Sequence, residues 1–204
     1  MRKTLIVICI LLGSFYLTKG QKNFTDGYII TLNNDTIRGK VKDNFPLRLS
    51  GLAKKISFID SSGVKNDYLP KDIKGYSKGD IVNYISIDIG FGKDFAKVIV
   101  DGEISLLSCK SVGYRSTFAP SGGAGGGSWS HTASSSESFF LYRKYTGSLT
   151  EVTRIGFRDL VSGYFSDYKE LKEMIDKKEL RYSDLEIIVE KYNKWRQKTK
   201  TSSR

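Results

Sequence analysis

Tyr28-Ile29-Ile30-Thr31-Leu32-Asn33-Asn34-Asp35-Thr36-Ile37-Arg38-Gly39-Lys40-Val41 reads as a β-hairpin. The two-residue period of a strand puts Tyr28, Ile30 and Leu32 on one face of a first strand. It puts Ile37, Gly39 and Val41 on one face of a second, with Thr36, Arg38 and Lys40 on the other. Asn33, Asn34 and Asp35 lie between the two runs. Asn and Asp accept left-handed backbone angles and bond their own main chain, which suits a tight turn. A lone hairpin is not stable in water, so the following strands must extend this sheet and cover an apolar face.

The chain supplies such strands. Ile56 to Ile59 and Val64 to Leu69 flank Asp60-Ser61-Ser62-Gly63, again a hairpin, and Pro70 ends the second run. Asp43 to Lys55, with Pro46, is expected as a connection. Lys71 to Asp80 is polar, basic and punctuated by glycine, and is expected as a loop or a bent edge. Ile81, Asn83, Ile85, Ile87 and Ile89 alternate with Val82, Tyr84, Ser86 and Asp88, giving a strand with one strongly apolar face. Phe95 to Val100 and Ile104 to Cys109 surround Asp101-Gly102-Glu103, and Asp-Gly between apolar runs is a strong short hairpin signal.

From Ser111 to Ser138 the chain is rich in Gly and Ser, with Gly122-Gly123-Ala124-Gly125-Gly126-Gly127 at its centre. Few apolar side chains are present to offset the entropy of ordering, so a flexible excursion in the form of a long hairpin loop is expected there. Strand character resumes at Phe139 to Tyr145 and at Leu149 to Arg154, around Thr146-Gly147-Ser148.

After Ile155 the apolar period changes to about 3.6. Phe157, Leu160, Val161, Tyr164 and Phe165 mark one helix face. A shorter helix is predicted over 167–177, with Leu171, Met174 and Ile175 inward and Asp167 and Glu170 as a cap pair. The last helix opens on Ser183, with Glu186 three residues on as a capping box and Tyr182 and Ile187 as a hydrophobic staple. Leu185, Ile188, Val189, Tyr192 and Trp195 line its inner face. Strands first and helices last read as α+β: a mainly antiparallel sheet or open barrel followed by two to three C-terminal helices. The expected division is residues 1–20, a β domain over 21–154 with the Gly/Ser-rich loop at 111–138, and a helical segment over 155–204.

The first twenty residues stand outside that fold. Arg2 and Lys3 precede an apolar run from Leu5 to Leu17, and Thr18-Lys19-Gly20 presents small residues to a signal peptidase. This is the pattern of a secretory signal peptide cleaved between Gly20 and Gln21. The run is shorter than the roughly 20 residues a spanning helix needs. Cleavage removes three cations and no acid, taking the formal charge of the 204-residue chain from +11 to +8. Cys109 is then the one remaining cysteine, so no internal disulfide can form. In its apolar context, Cys109 reads as a small buried hydrophobe.

Gly27-Tyr28-Ile29, Asp35 to Val41, Ile56-Ser57-Phe58, Tyr68 to Tyr76 and the closing Lys191-Tyr192-Asn193 together resemble a group of small, uncharacterised exported proteins of Bacteroidota. The shared motifs are turns, a Pro-bounded strand end and a helix face, and none is catalytic. The resemblance implies export and the same β-rich body with C-terminal helices. The Gly-rich stretch departs from the pattern and reads as an insertion. Asp35-Thr36-Ile37 resembles an O-glycosylation acceptor of these bacteria.

Catalytic patterns are thin. The sole histidine, His131, lies inside the Gly/Ser stretch, a poor place to hold a general base against a Ser or Cys109. One His and one mature Cys cannot assemble the usual zinc ligand sets. Gly90-Phe91-Gly92-Lys93 and the poly-Gly tract lack the Walker continuation. No cofactor or metal is expected, and no catalytic residue can be picked out. Positive charge is the most suggestive feature. After Glu190 no acid follows, and Lys191, Lys194, Trp195, Arg196, Lys198 and Lys200 form a basic, aromatic-bearing tail that could meet an anionic partner. The expectation is a periplasmic or secreted envelope protein, a non-enzymatic binding or scaffolding module. Its expected partners are an envelope protein, an anionic lipid or a polysaccharide, and not nucleic acid. The alternatives are attachment to a membrane surface or polyanion through the tail, and a hydrolase using acidic residues.

Overall fold

The computed structural model describes residues 23–44, 54–79, 82–90, 92–120 and 127–202. The signal-peptide boundary at Gly20 and Gln21 and the centre of the poly-Gly tract lie outside them. The fold is α+β: ten antiparallel strands in one open sheet, then three helices. The strands are β1 Thr25–Thr31, β2 Thr36–Asn44, β3 Lys55–Asp60, β4 Lys65–Tyr68, β5 Ile73–Lys78, β6 Val82–Asp88, β7 Lys93–Val100, β8 Ile104–Pro120, β9 Gly127–Arg143 and β10 Ser148–Val152. The helices are α1 Phe157–Tyr164, α2 Lys169–Asp176 and α3 Leu185–Ser202. Spatial order is β10-β9-β8-β7-β6-β5-β1-β2-β3-β4.

The opening hairpin forms as β1 and β2, with Ile29 opposite Ile37 and Asn34 at φ 71° in the turn. Its buried face, however, is that of Ile29 and Val41, and Leu32 is 51% exposed. Two-residue alternation could not choose between the faces because both carry apolar side chains. Ile29 and Val41 join Ile56, Phe58, Ile73, Tyr76 and Phe95 in one core cluster. Phe58 on β3 and Phe95 on β7 are separated by four strands in the sheet order, so their membership of one cluster requires the sheet to curl. Asp43 on β2 fastens the curl, accepting from Tyr76 Oη at 3.1 Å and Lys78 Nζ at 2.7 Å on β5. The Lys54–Asp94 ion pair at 2.6 Å spans the same gap. Burial pushes the Tyr76 hydroxyl well above its ordinary value, with Asp43 adding to the effect.

Lys71 to Asp80 is the largest departure on the β side. It holds β5, which lies in mid-sheet between β1 and β6. Its lysines made it look solvated, yet the two on β5 find partners: Lys74 on Asn34 Oδ1 at 2.6 Å and Lys78 on Asp43. The Gly/Ser stretch also differs from expectation. Residues 111–120 and 127–138 are strands that pair with one another without a break. Cross-strand hydrogen bonding carries them where apolar burial is scarce, as between Ser111 and Ser136 at 2.7 Å.

The helices cover the far half of one sheet face. Val100, Ile104, Leu106, Leu141 and Val152 meet Phe157, Val161, Phe165, Leu171, Ile188 and Tyr192 there. The inner face expected for α3 is the one that is buried. Its cap lies earlier than Ser183 and Glu186. A 3₁₀ turn over Tyr182–Asp184 precedes it, and Asp184 Oδ2 accepts from the Arg181 N–H at 2.8 Å. Ile187 is 49% exposed and makes no staple, while Tyr182 packs edge-on to Phe139 and Phe157. Asp167 does not cap α2. It accepts from Tyr192 Oη at 2.8 Å.

Gly27 sits directly opposite Gly39. A Cβ on Gly39 would overlap the Ile59 carbonyl and the Phe58 ring, whereas one on Gly163 in α1 would meet nothing. Gly39→Val is therefore expected to cost about 1–3 kcal/mol, a fall of several degrees in melting temperature. Gly163→Ala is expected to gain about 0.5–1 kcal/mol. Thermal melts of the two variants against the parent check both signs.

Candidate functional site

Two places on this fold gather polar chemistry. One is the seat of α3 on the β7–β8 turn, which engages Arg196 and Lys200 of the basic tail. The other is the sheet face that the helices leave uncovered.

At the turn, Asn193 is buried and faces Ile104. Its Oδ1 accepts from the Ile104 N–H at 3.1 Å, and its Nδ2 donates to the Ile104 carbonyl at 2.8 Å. A Cβ on Gly102 would strike that amide, which explains the glycine of the Asp-Gly pair. One turn of helix further on, Arg196 donates to Glu103 Oε1 at 3.0 Å and Lys200 reaches Oε2 at 2.7 Å. The Glu103 side chain is 11% exposed. Burial alone would raise its carboxyl, but the hydrogen bonds from Lys200 and Arg196 outweigh it and hold the group below its ordinary 4.5. Trp195 stacks on Tyr168, with centroids 4.7 Å apart and planes 5° from parallel. Lys194 is paired with Glu190 along the helix at 3.5 Å.

Of the tail residues predicted to meet an anion, Arg196 and Lys200 are thus joined to a carboxylate of the same chain, and Trp195 belongs to the packing. Lys191, Lys194 and Lys198 are exposed. Spacing along the helix could not reveal Glu103, which is 93 residues from Arg196 in sequence.

The uncovered face carries a groove of about 700 Å³. Tyr28 and Ile30 of β1 and Leu32 of the turn after it line the groove, with Tyr142 of β9 and Leu149 of β10. One row across four strands reads Ile30, Gly75, Ile85 and Ala96. Gly75 and Ala96 project little or nothing, so they lower the floor between the isoleucines. Beneath lies a separate apolar cluster of Ile87, Ala96, Leu107, Cys109 and Phe140, to which no helix contributes. Of the apolar face foreseen for Ile81 to Ile89, Asn83, Ile85 and Ile87 line the groove, and Ile81 lies outside the described residues. Lys74, Lys93 and Lys144 stand at the rim with Asp88 and Asp101. Lys144 pairs with Asp101 at 2.6 Å.

The remaining sequence candidates fall elsewhere. Cys109 is buried beside the groove floor, and burial pushes its thiol up to about 11, so it is a packing residue without a reactive thiolate at neutral pH. His131 lies on β9 opposite Ser116. Asp35 and Thr36 are exposed at the β1–β2 turn. Among the described residues no three His, Cys, Asp or Glu side chains converge as metal ligands, and no helix is long and apolar enough to cross a membrane.

Two outcomes follow from the α3 seat. Asn193→Ala strands two buried main-chain groups, at about 1–3 kcal/mol each, so a loss of about 2–6 kcal/mol in denaturant unfolding is expected. Lys198→Ala is expected to stay within about 0.5 kcal/mol of the parent. The depressed Glu103 carboxyl contributes stability that is present above its ordinary value and is lost as pH falls through its lower folded value. Melting temperatures taken from neutral pH down to below 4 are therefore expected to fall more steeply for the parent than for Glu103→Gln.

Compared with family models, with curated proteins and with solved structures, the chain matches none.

Proposed function

We propose that this is an exported envelope protein, periplasmic or secreted, that acts by binding. Its working surface is the groove on the helix-free face of the sheet. The observation that carries this reading is a groove lined by half-buried apolar side chains, above a cluster that no described helix joins, while the opposite face holds a helical layer. A groove of this size is in the range of ligand sites. Exposed contiguous apolar surface on a folded domain marks an interaction site.

The chemistry of the lining describes the partner. Isoleucine, leucine, valine and tyrosine side chains on the floor favour extended apolar groups. Three rim lysines against two carboxylates, one of them tied to Lys144, favour anionic groups beside those apolar ones. An amphipathic, acidic partner segment fits both. The basic tail supports this less well than the groove does, because Arg196 and Lys200 already serve Glu103. The N-terminal leader and the resemblance to exported proteins support the location.

A photo-crosslinking side chain tests the surface. Leu32 at the groove wall is 51% exposed and Val64 at the β3–β4 turn is 53% exposed, so the two positions differ in place and not in accessibility. In cells producing the protein, the probe at position 32 is expected to give a discrete adduct that the probe at 64 does not. Equal labelling at both positions, or none at 32, would contradict the proposal.

A further inference from the structure

Beyond the body of the sheet, β8 and β9 continue as a two-stranded arm. The ladder of β8 with β7 covers Leu106 to Ser108, and that of β9 with β10 covers Phe139 to Arg143. From Lys110↔Glu137 to Pro120↔Gly127, eleven pairs, the two strands pair only with each other among the described residues. At about 3.3 Å per residue the arm is roughly 35 Å long. Two strands alone are marginal in water, and stability ordinarily needs a third strand or a packed face.

An open strand edge presents unpaired N–H and C=O groups and is normally guarded by charge, proline, bulges or shortness. The other edges here are guarded. β4 is the four residues Lys65-Asn66-Asp67-Tyr68, and β10 is five residues carrying Glu151. On the arm, the β8 edge carries Lys110, Arg115 and Pro120. The β9 edge is different. Gly127 to Ser136 is ten residues without Lys, Arg, Asp, Glu or Pro.

We infer that this edge of β9 pairs antiparallel with the same edge of a second copy of the chain. The result is a four-stranded layer in the order β8-β9-β9-β8. Three observations favour a second copy over another occupant. A twofold pairing sets each residue against the same stretch, and this stretch holds no formal charge to repel itself. The side chains of Ser128, Ser130, Thr132 and Ser136 are small, exposed and able to hydrogen-bond their like. The protein is strongly basic, with a formal charge of +11, or +8 without the three cations of residues 1–20, so two bodies repel. An arm roughly 35 Å long carries the edge well past the screening length of about 8–10 Å, where that repulsion is weak. The exposed pair Phe118 and Trp129, with centroids 5.0 Å apart, lies opposite within the arm and adds apolar area beside the joint.

The test uses the protein from Gln21 onward, which contains every described contact. Sedimentation velocity is expected to give a dimer whose fraction rises with concentration. Ser130→Lys/Thr132→Lys, which places cations on the edge, is expected to return the monomer mass with an unchanged melting temperature. Single substitutions Ser128→Cys, Ser130→Cys, Thr132→Cys and Ser136→Cys then locate the joint. Oxidation is expected to cross-link one position far more than the others, with Thr153→Cys, away from the arm, giving no covalent dimer. A monomer at the highest concentration reached overturns the inference. So does a dimer that survives the two lysines, or cross-linking that is equal at Thr153→Cys.

Discussion

Asn193 uses both ends of its amide on the main chain of Ile104, and Glu103 next door gathers Arg196 and Lys200. This seat fixes where α3 lies on the sheet. Once α3 is fixed, α1 and α2 have one place to put Phe157, Val161, Phe165 and Leu171, against Leu106 and Leu141. The helical layer is then complete on one face. Among the described residues no helix covers the other, which keeps a groove above its own buried cluster. A polar contact at a turn thus decides which apolar surface the protein buries and which it keeps available.

The sheet itself makes both outcomes feasible. Its first half curls until Phe58 and Phe95 share one cluster, and it buries its own inner face without help from a helix. Small residues at close approaches, such as Gly27 opposite Gly39, permit the curl. Its second half stays open enough for helices on one side and a groove on the other. Leu106 and Leu107, adjacent in sequence and both fully buried, belong to different clusters on the two faces. A strand with apolar residues on both faces can be a strand with two covered faces. Here it is a strand with one covered face and one groove.

Much of the fold was legible in the sequence because its signals are local. Turn residues between apolar runs located the hairpins, and a change of period at Ile155 located the helices. What could not be read was non-local. The faces of β1 were equivalent by pattern, and only the curl made Ile29 the buried one. β5 looked like a loop because its lysines and glycine are loop residues until Asn34 and Asp43 are brought to them. The Gly/Ser strands lacked the apolar content on which strand reading depends. The capping signal at Ser183 was displaced because Asp184 offers a carboxylate to Arg181 two residues earlier. For the candidate sites the same division holds. The basic tail was visible as a run of charge, but its engagement with Glu103 was not. The groove was foreshadowed by the isoleucines of β6, although nothing local says that an apolar face will stay uncovered.

The claim at the centre of this account is that one face of the sheet is closed by helices and the other is open. Hydroxyl-radical footprinting of the isolated protein measures that directly, side chain by side chain. Leu32, Tyr28 and Tyr142 on the groove are expected to be modified in the folded state, while Phe165, Ile188 and Tyr192 under the helices are protected until unfolding. Protection of the groove residues in the isolated protein would contradict the account. It would mean that the chain itself covers this face and that no surface is kept there for a partner.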